Sequence, residues 1–312
     1  MIRAFIFPGQ GSQSIGMGKA LADNFSVAKA VFDEVDSALS QHLSKLMFEG
    51  LESDLQMTAN AQPALMAVSI AALRVLESEA GVKLGRDATY VAGHSLGEYS
   101  ALAAAGSFSL SDTARLLRIR GNAMQKAVPV GEGAMAALLG CTPEKAETIC
   151  VEASKGKICQ IANDNGGGQV VISGEKLAVE RACELAKAQG VKRAVILPVS
   201  APFHCALMQS AADSMEEALA KVTIHRPVVP LIANVTAKPI VEADDIRAKL
   251  VEQVTGTVRW ADSMAWLGEQ GITRFVEIGA GKVLSGLVKR IVEGAVVLNI
   301  GTSDDVKNYI KG

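Results

Sequence analysis

The sequence is poor in aromatic residues and carries almost no net charge. Phe, Trp and Tyr make up 4% of the 312 residues, while the apolar set AVILMFWYC makes up 49%. This composition excludes a disordered chain and predicts a core built mainly from aliphatic side chains. Lysine and arginine number 31 and aspartate and glutamate 33, which gives a net charge of −2. Because basic and acidic residues are nearly equal in number, the chain has no overall positive charge to attract a phosphate backbone. We therefore expect no nucleic acid partner.

Cysteine is also scarce, and its positions lack the spacing of a metal site. The five cysteines, at positions 141, 150, 159, 183 and 205, form an odd set without a C-x-x-C pair. This usage argues against a disulfide framework and against a zinc site, and it predicts free thiols in a reducing compartment. We therefore expect a cytoplasmic protein without a bound metal.

Long apolar runs of the kind that cross membranes are missing as well. The charge-free stretch 55–72 carries Gln56, Asn60 and Gln62, which are costly in a bilayer. The apolar run that follows Arg3 ends at Pro8 and is too short for a signal peptide. We expect no membrane partner.

Strand-like and helical segments alternate along the chain. Residues 2–7 and 90–92 are short apolar runs typical of buried strands, and the spacing of apolar residues over 25–39 predicts an amphipathic helix. A further helix is predicted from Pro63 to a stop at Gly81. This order predicts an α/β fold with a mainly parallel sheet.

The segment 128–199 has a pattern of its own. Strand-like runs at 134–139, 158–162, 169–173 and 191–199 alternate with helical runs that begin near 142 and 176. The order βαββαβ is that of a ferredoxin-like unit. We therefore expect a small domain at 128–199, inserted into a discontinuous larger domain formed by 1–127 and 200–312.

The most specific motif is Gly93-His94-Ser95-Leu96-Gly97, a G-x-S-x-G between a strand-like run and a helical run. A serine on such a strained turn is exposed, and the flanking glycines let the backbones approach each other. The N–H of Leu96 would lie at a helix N-terminus, where a free donor and the helix dipole favour an oxyanion. The motif predicts that Ser95 is a nucleophile; the alternative is a glycine-rich turn whose serine only caps a helix.

A serine nucleophile needs a general base, and the sequence offers four histidines. His94 is adjacent to Ser95, so the two side chains should diverge, and His42 and His225 lie in polar stretches typical of the surface. His204 follows a strand-like run in a proline-containing turn, and strand ends build the sites of α/β folds. His204 is the candidate base, with a purely structural histidine as the alternative.

No acidic residue is well placed to complete a triad. Between Ser95 and His204, Asp112 lies in a helix cap and Asp164 in a turn of the small domain. We expect a backbone or amide carbonyl to orient the imidazole instead.

Two glycine-rich loops and one arginine are weaker candidates. The loop 9–14 lacks the third glycine of a dinucleotide fingerprint, and 279–282 lacks the spacing of a phosphate-binding loop. A nucleotide-binding module remains the alternative from another functional class. Arg120 precedes Gly121 at the predicted end of a helix and is better placed to turn inward than its neighbours, although most arginine runs are solvated.

Four spaced motifs give the sequence a family resemblance. They are FPGQGSQ at 7–13, GHSLGEY at 93–99, RGNAMQ at 120–125 and PFHC at 202–205. With these motifs the chain resembles, over essentially its whole length, the malonyl-CoA:acyl carrier protein transacylase family of type II fatty acid synthesis. The resemblance implies an α/β-hydrolase-like large domain with a parallel sheet, an inserted ferredoxin-like small domain, and a site in the gap between them.

The resemblance also implies roles for single residues. Ser95 matches the family's nucleophile and His204 its base. The backbone N–H groups of Gln10 and Leu96 match the oxyanion hole. Gln253 matches the residue whose backbone carbonyl orients the histidine, which would account for the missing acid.

On the substrate side, Arg120 matches the arginine that pairs the malonyl carboxylate, and Met124 and Phe203 are substrate-binding candidates. The family varies at Phe203, where bulk is associated with malonyl rather than methylmalonyl use. The implied activity is transfer of malonyl from malonyl-CoA to holo acyl carrier protein, without cofactor or metal. We expect a monomer, although the sequence itself does not give the oligomeric state. A thioesterase or esterase with the same serine and histidine is the alternative enzyme.

Overall fold

The computed structural model describes residues 2–311 and consists of two β-sheets with surrounding helices. The strands are β1 (Ala4–Phe7), β2 (Tyr90–Gly93), β3 (Gly133–Leu139), β4 (Cys159–Asp164), β5 (Gln169–Glu175), β6 (Arg193–Ile196), β7 (Leu231–Ala233), β8 (Lys238–Ile240), β9 (Val258–Arg259), β10 (Arg274–Ile278) and β11 (Val296–Ile300). The helices are α1 (Lys19–Asn24), α2 (Ser26–Leu39), α3 (Leu43–Glu49), α4 (Glu52–Gln56), α5 (Thr58–Ala80), α6 (Leu84–Asp87), α7 (Gly97–Ala104), α8 (Leu110–Ala127), α9 (Pro143–Ser154), α10 (Lys176–Ala188), α11 (Gln209–Leu219), α12 (Ala243–Thr255), α13 (Trp260–Glu269), α14 (Val283–Ile291) and α15 (Ser303–Lys311).

The larger sheet has the order β11-β10-β1-β2-β7-β8 and is parallel except for β8. Along β1 the side chains alternate: Phe5 and Phe7 join a core cluster with α5, while Ala4 and Ile6 join a second cluster on the other face. Helices therefore cover both faces, which explains why β1 is a continuous apolar run. The predicted α/β class with a parallel sheet is confirmed.

The smaller sheet has the order β6-β3-β5-β4-β9. Its first four strands and their two helices follow each other as β3-α9-β4-β5-α10-β6, the predicted βαββαβ order. The fifth strand, β9, comes from a later part of the chain and pairs in parallel with β4 at Asn163 and Asp164. A strand from outside the predicted small domain 128–199 therefore adds to this sheet.

Helix α5 starts earlier than the sequence predicts. It begins at Thr58 rather than at Pro63, which lies inside the helix. The reason is tertiary packing: α8 passes so close that a Cβ on Gly121 would lie 2.6 Å from Ala59 Cα. Contact with α8 thus extends α5 past the proline despite the missing backbone hydrogen bond.

The same contact corrects a second boundary. Gly121 was expected to end the helix that carries Arg120, yet α8 continues to Ala127. Gly121 allows the close approach of two helices, and its substitution by any larger residue would push α5 away. Arg120 therefore lies in the interior of α8 rather than at its end.

Among the described helices, α5 alone has the length and apolar composition of a membrane-crossing helix. Of the apolar stretch of this helix, 94% is buried inside the protein, so α5 is a core helix.

All five cysteines are buried free thiols, and Cys141, Cys150, Cys159 and Cys183 belong to the core of the smaller sheet.

Candidate active site

Ser95 lies on a sharp turn between β2 and α7. Its φ of 54° is in the left-handed region, where a residue other than glycine is strained. A Cβ on Gly93 would lie 1.9 Å from the carbonyl carbon of Gly97, and one on Gly97 would lie 2.3 Å from Phe7 O. The turn can form only because both flanking positions are glycine, which is the strand-turn-helix setting that the motif predicts.

His204 contacts Ser95 directly. The distance from Ser95 Oγ to His204 Nε2 is 2.7 Å, and the other ring nitrogen, Nδ1, lies 2.8 Å from the backbone oxygen of Gln253. An Nδ1–H that donates to this carbonyl leaves Nε2 free to accept the serine proton. The structure thus places a backbone carbonyl where a triad would hold a carboxylate.

The imidazole of His204 is held in its neutral form. Burial lowers the pKa of His204 to about 3, and the positive charge of Arg120 acts in the same direction. Because the protonated form is disfavoured, the ring remains able to accept a proton throughout the neutral range.

The other histidines lie where the sequence predicts. His94 turns away from Ser95, and its Nε2 lies 2.8 Å from Asn165 Oδ1. His42 and His225 are exposed.

Arg120 is buried beside this pair, with 1% of its surface exposed. Its Nη1 donates to Gln62 Oε1 at 2.8 Å, and its Nη2 donates to Gln253 Oε1 at 2.8 Å and to Ser95 Oγ at 3.1 Å. Its Nε has no partner among residues 2–311. None of the ion pairs in this part of the chain includes Arg120. A guanidinium held by neutral groups alone is a ready partner for an anionic ligand.

Two backbone donors also lie near Ser95. Leu96 is the residue that immediately precedes α7, and Gln10 lies in the loop after β1. Within residues 2–311, neither backbone N–H donates to a protein acceptor. The loop of Gln10 is pressed against the serine turn, since a Cβ on Gly9 would lie 2.5 Å from His94 O.

These groups line one cavity between the two sheets, with a volume of about 260 Å³. Its walls include the sequence-predicted residues Gln10, Ser95, Leu96, Arg120, Met124, Phe203 and His204. The smaller sheet contributes Met135 and Asn163. Gln253 is completely buried and does not line the cavity itself, but it contacts the lining residue Arg120.

Two polar residues of the site carry no sequence signal. Asn234 accepts from the backbone N–H of Ser95 at 2.8 Å and donates to Gly93 O at 2.7 Å, so it holds the serine turn together. Gln62 holds Arg120 from the opposite side. Both reach the site through tertiary contacts from distant parts of the chain, which no local motif reveals.

The glycine-rich loop at 279–282 supports the first loop. A Cβ on Gly281 would lie 3.2 Å from Ser12 Cβ, and one on Gly279 would lie 2.4 Å from Ser69 Oγ. These glycines allow close packing of loop 279–282 against loop 9–14 and α5.

Comparisons with known proteins agree with this geometry. Residues 4–308 match the family model described as an acyl transferase domain. The chain is 49% identical over 289 residues to malonyl CoA-acyl carrier protein transacylase of Bacillus subtilis, covering 92% of this chain and 90% of the relative. It is 45% identical over 290 residues to the protein of that name from Escherichia coli K12, covering 93% of each.

Solved structures give the same result. An acyl-carrier-protein S-malonyltransferase from Bartonella henselae superposes with a TM-score of 0.97 at 56% identity, covering 100% of this chain and 99% of the other. A malonyl-transacylase in complex with its holo type II polyketide acyl-carrier protein superposes with a TM-score of 0.96 at 41% identity, covering 100% and 99%. The chain therefore belongs to the acyl transferase family, among the malonyl CoA-acyl carrier protein transacylases.

Proposed function

We propose that this chain transfers the malonyl group from malonyl-CoA to the phosphopantetheine thiol of acyl carrier protein, through a malonyl ester on Ser95, and so supplies fatty acid elongation. The observation that carries the proposal is the 2.7 Å contact between Ser95 and His204 in a cavity that also holds the buried cation of Arg120.

In the first half-reaction His204 Nε2 takes the proton of Ser95 Oγ as the oxygen attacks the thioester carbon. The carbonyl oxygen becomes an oxyanion, which the N–H groups of Gln10 and Leu96 stabilise. The tetrahedral intermediate then collapses: the carbon–sulfur bond breaks, and the CoA sulfur takes the proton from His204. The product is a malonyl ester on Ser95.

The second half-reaction runs in the opposite sense. His204 deprotonates the phosphopantetheine thiol, its sulfur attacks the ester carbon, and the serine oxygen leaves with the proton from His204. Free enzyme and malonyl-acyl carrier protein result. Since each half-reaction uses the same serine, the kinetics are ping-pong.

Arg120 selects the acyl group. Its Nη2 lies 3.1 Å from Ser95 Oγ, so a carboxylate two carbon–carbon bonds beyond the ester carbon falls within its reach. A carboxylate can replace the serine contact of Arg120 and bind its planar fork with two hydrogen bonds. An acetyl group offers no such acceptor. Met124 and Phe203 provide apolar walls for the methylene.

The remaining features of the proposal concern the whole chain. We assign residues 1–127 and 200–312 to a catalytic domain and 128–199 to a ferredoxin-like domain, with the cleft between them open to both thioesters. The chemistry uses groups of the chain and of its substrates, without metal or prosthetic cofactor. We place the reaction in the cytoplasm and expect a monomer.

The experiment that tests this function measures product with and without the thiol acceptor. With malonyl-CoA and holo acyl carrier protein, we expect malonyl-acyl carrier protein and parallel lines in double-reciprocal plots. Without the acceptor, release of free malonate should be slow. Rapid release of malonate that holo acyl carrier protein does not suppress would instead identify a thioesterase.

A further inference from the structure

Glu98 is a buried carboxyl group without a cationic partner. It is the second residue of α7 and 1% of its surface is exposed. None of the ion pairs found between residues 2 and 311 includes it. Burial raises the pKa of Glu98 to about 8, because the charged form loses its hydration. A carboxyl group in such a place is costly, and its contacts indicate what it does there.

Those contacts are to Gln253 and Asn234. Oε2 of Glu98 accepts from Gln253 Nε2 at 2.6 Å and from the backbone N–H of Asn234 at 3.4 Å. Oε1 has no partner among the described residues. When the group is neutral its proton can reside on Oε1, so Oε2 is an acceptor in both protonation states.

The side-chain amide of Gln253 has only one favourable orientation. Three oxygens surround its Nε2: Glu98 Oε2, Ser95 O at 2.9 Å and Asn234 Oδ1 at 3.3 Å. On the other side, its Oε1 accepts from Arg120 Nη2. A flipped amide would set a donor against the guanidinium and an oxygen against these oxygens. Of the three, the contact with Glu98 is the shortest.

Gln253 therefore touches both halves of the site. Its side chain holds Arg120, and its backbone oxygen lies 2.8 Å from His204 Nδ1. A change in the position of Gln253 therefore changes the orientation of both the Arg120 guanidinium and the His204 imidazole. Glu98 itself does not line the cavity, and its carboxyl group makes no hydrogen bond to Ser95 Oγ.

We propose that Glu98 is a positioning residue, which fixes the orientation of Gln253 and through it directs Arg120 toward the malonyl carboxylate. The inference rests on the function proposed above, since it assigns Arg120 to that carboxylate. It predicts that loss of the Glu98 acceptor damages malonyl transfer more than acetyl transfer. A role in packing alone would damage both equally.

The test compares Glu98→Leu, which fills the space without an acceptor, with Glu98→Gln, which keeps one. In Glu98→Gln the new amide can turn its oxygen to Gln253 and place its nitrogen at the position of Oε1, which has no partner among the described residues. The matched control is Ser100→Ala on the same helix, because Ser100 is fully buried and its hydroxyl has no partner among residues 2–311. The readout is the rate of Ser95 acylation from malonyl-CoA and from acetyl-CoA, followed by intact mass.

We expect the malonyl-to-acetyl rate ratio to fall about tenfold in Glu98→Leu, the scale of one lost hydrogen bond to a charged network. Glu98→Gln should stay within about threefold of the wild-type ratio, and Ser100→Ala should be unchanged. An unchanged ratio in folded Glu98→Leu overturns the inference, as do equal losses of both rates in Glu98→Leu and Glu98→Gln.

Two further outcomes keep the result unambiguous. If Glu98→Leu does not fold, Glu98→Asp answers the same question: its shorter side chain withdraws the acceptor from Gln253, so a wild-type ratio there also overturns the inference. If the wild-type protein itself takes no malonyl group on Ser95, the proposed function fails, independently of Glu98.

Discussion

Replacement of Arg120 by alanine tests the origin of selectivity. In the structure the guanidinium is buried, with Gln62 and Gln253 as its hydrogen-bonded neighbours and Ser95 Oγ 3.1 Å away. A hydrogen bond to a charged group contributes about 1.5 to 3 kcal/mol. At about 1.4 kcal/mol per factor of ten, one such bond corresponds to a loss of about 10- to 150-fold, and a bidentate pair exceeds it.

The assay follows acylation of Ser95 from malonyl-CoA and from acetyl-CoA under single-turnover conditions. Arg120→Ala should lose malonyl transfer by at least that factor, while acetyl transfer is spared or improved. Arg118→Ala is the matched control, because Arg118 lies on the same helix and bonds to Gln41 and Asn60 away from the cavity. Equal losses of both acyl groups in Arg120→Ala would refute the assignment and make Arg120 a structural residue.

Three further predictions follow from the same site. His204→Ala should lose several orders of magnitude in transfer whereas His225→Ala should not, since removal of one member of a catalytic unit costs nearly as much as removal of all; the reverse result in steady-state assays would identify another base. Phe203→Ser should shift the competition between malonyl-CoA and methylmalonyl-CoA toward methylmalonyl, because steric strain between the ring and an added methyl group should cost about 1 to 3 kcal/mol. An unchanged ratio in a folded variant would mean that the ring does not contact the acyl group. Because burial lowers the pKa of His204 to about 3, and the base acts in its neutral form above that value, the acid limb of kcat/KM should lie well below pH 6.5; a limb at pH 6.5 would contradict a buried base.

Local patterns of the sequence predict the nucleophile turn well. Gly93 is required by its close contact with Gly97 in the same turn, and Gly97 by its close contact with Phe7 of β1. The residues of the motif therefore determine the geometry of the turn. The alternation of strand-like and helical runs predicts the parallel sheet and the βαββαβ order within the smaller sheet, because hydrophobic periodicity reflects which face is buried. It does not predict β9, a two-residue strand from outside 128–199 that adds to the smaller sheet.

Other parts of the site depend on contacts that a single sequence does not reveal. Gln62, Glu98 and Asn234 come from three different segments, and only the fold brings them to Gln253 and Arg120. The boundaries of α5 and α8 were wrong for a related reason. Pro63 and Gly121 are typical of helix ends, yet the packing of the two helices outweighs both local preferences.

The central claim is that Ser95 carries the malonyl group between its two thiol carriers. Intact-mass analysis after brief incubation with malonyl-CoA tests it most directly. We expect a single malonyl adduct that peptide mapping places on Ser95, that holo acyl carrier protein removes, and that is absent in Ser95→Ala. An adduct that persists in Ser95→Ala, or a wild-type adduct that holo acyl carrier protein does not discharge, would contradict the account.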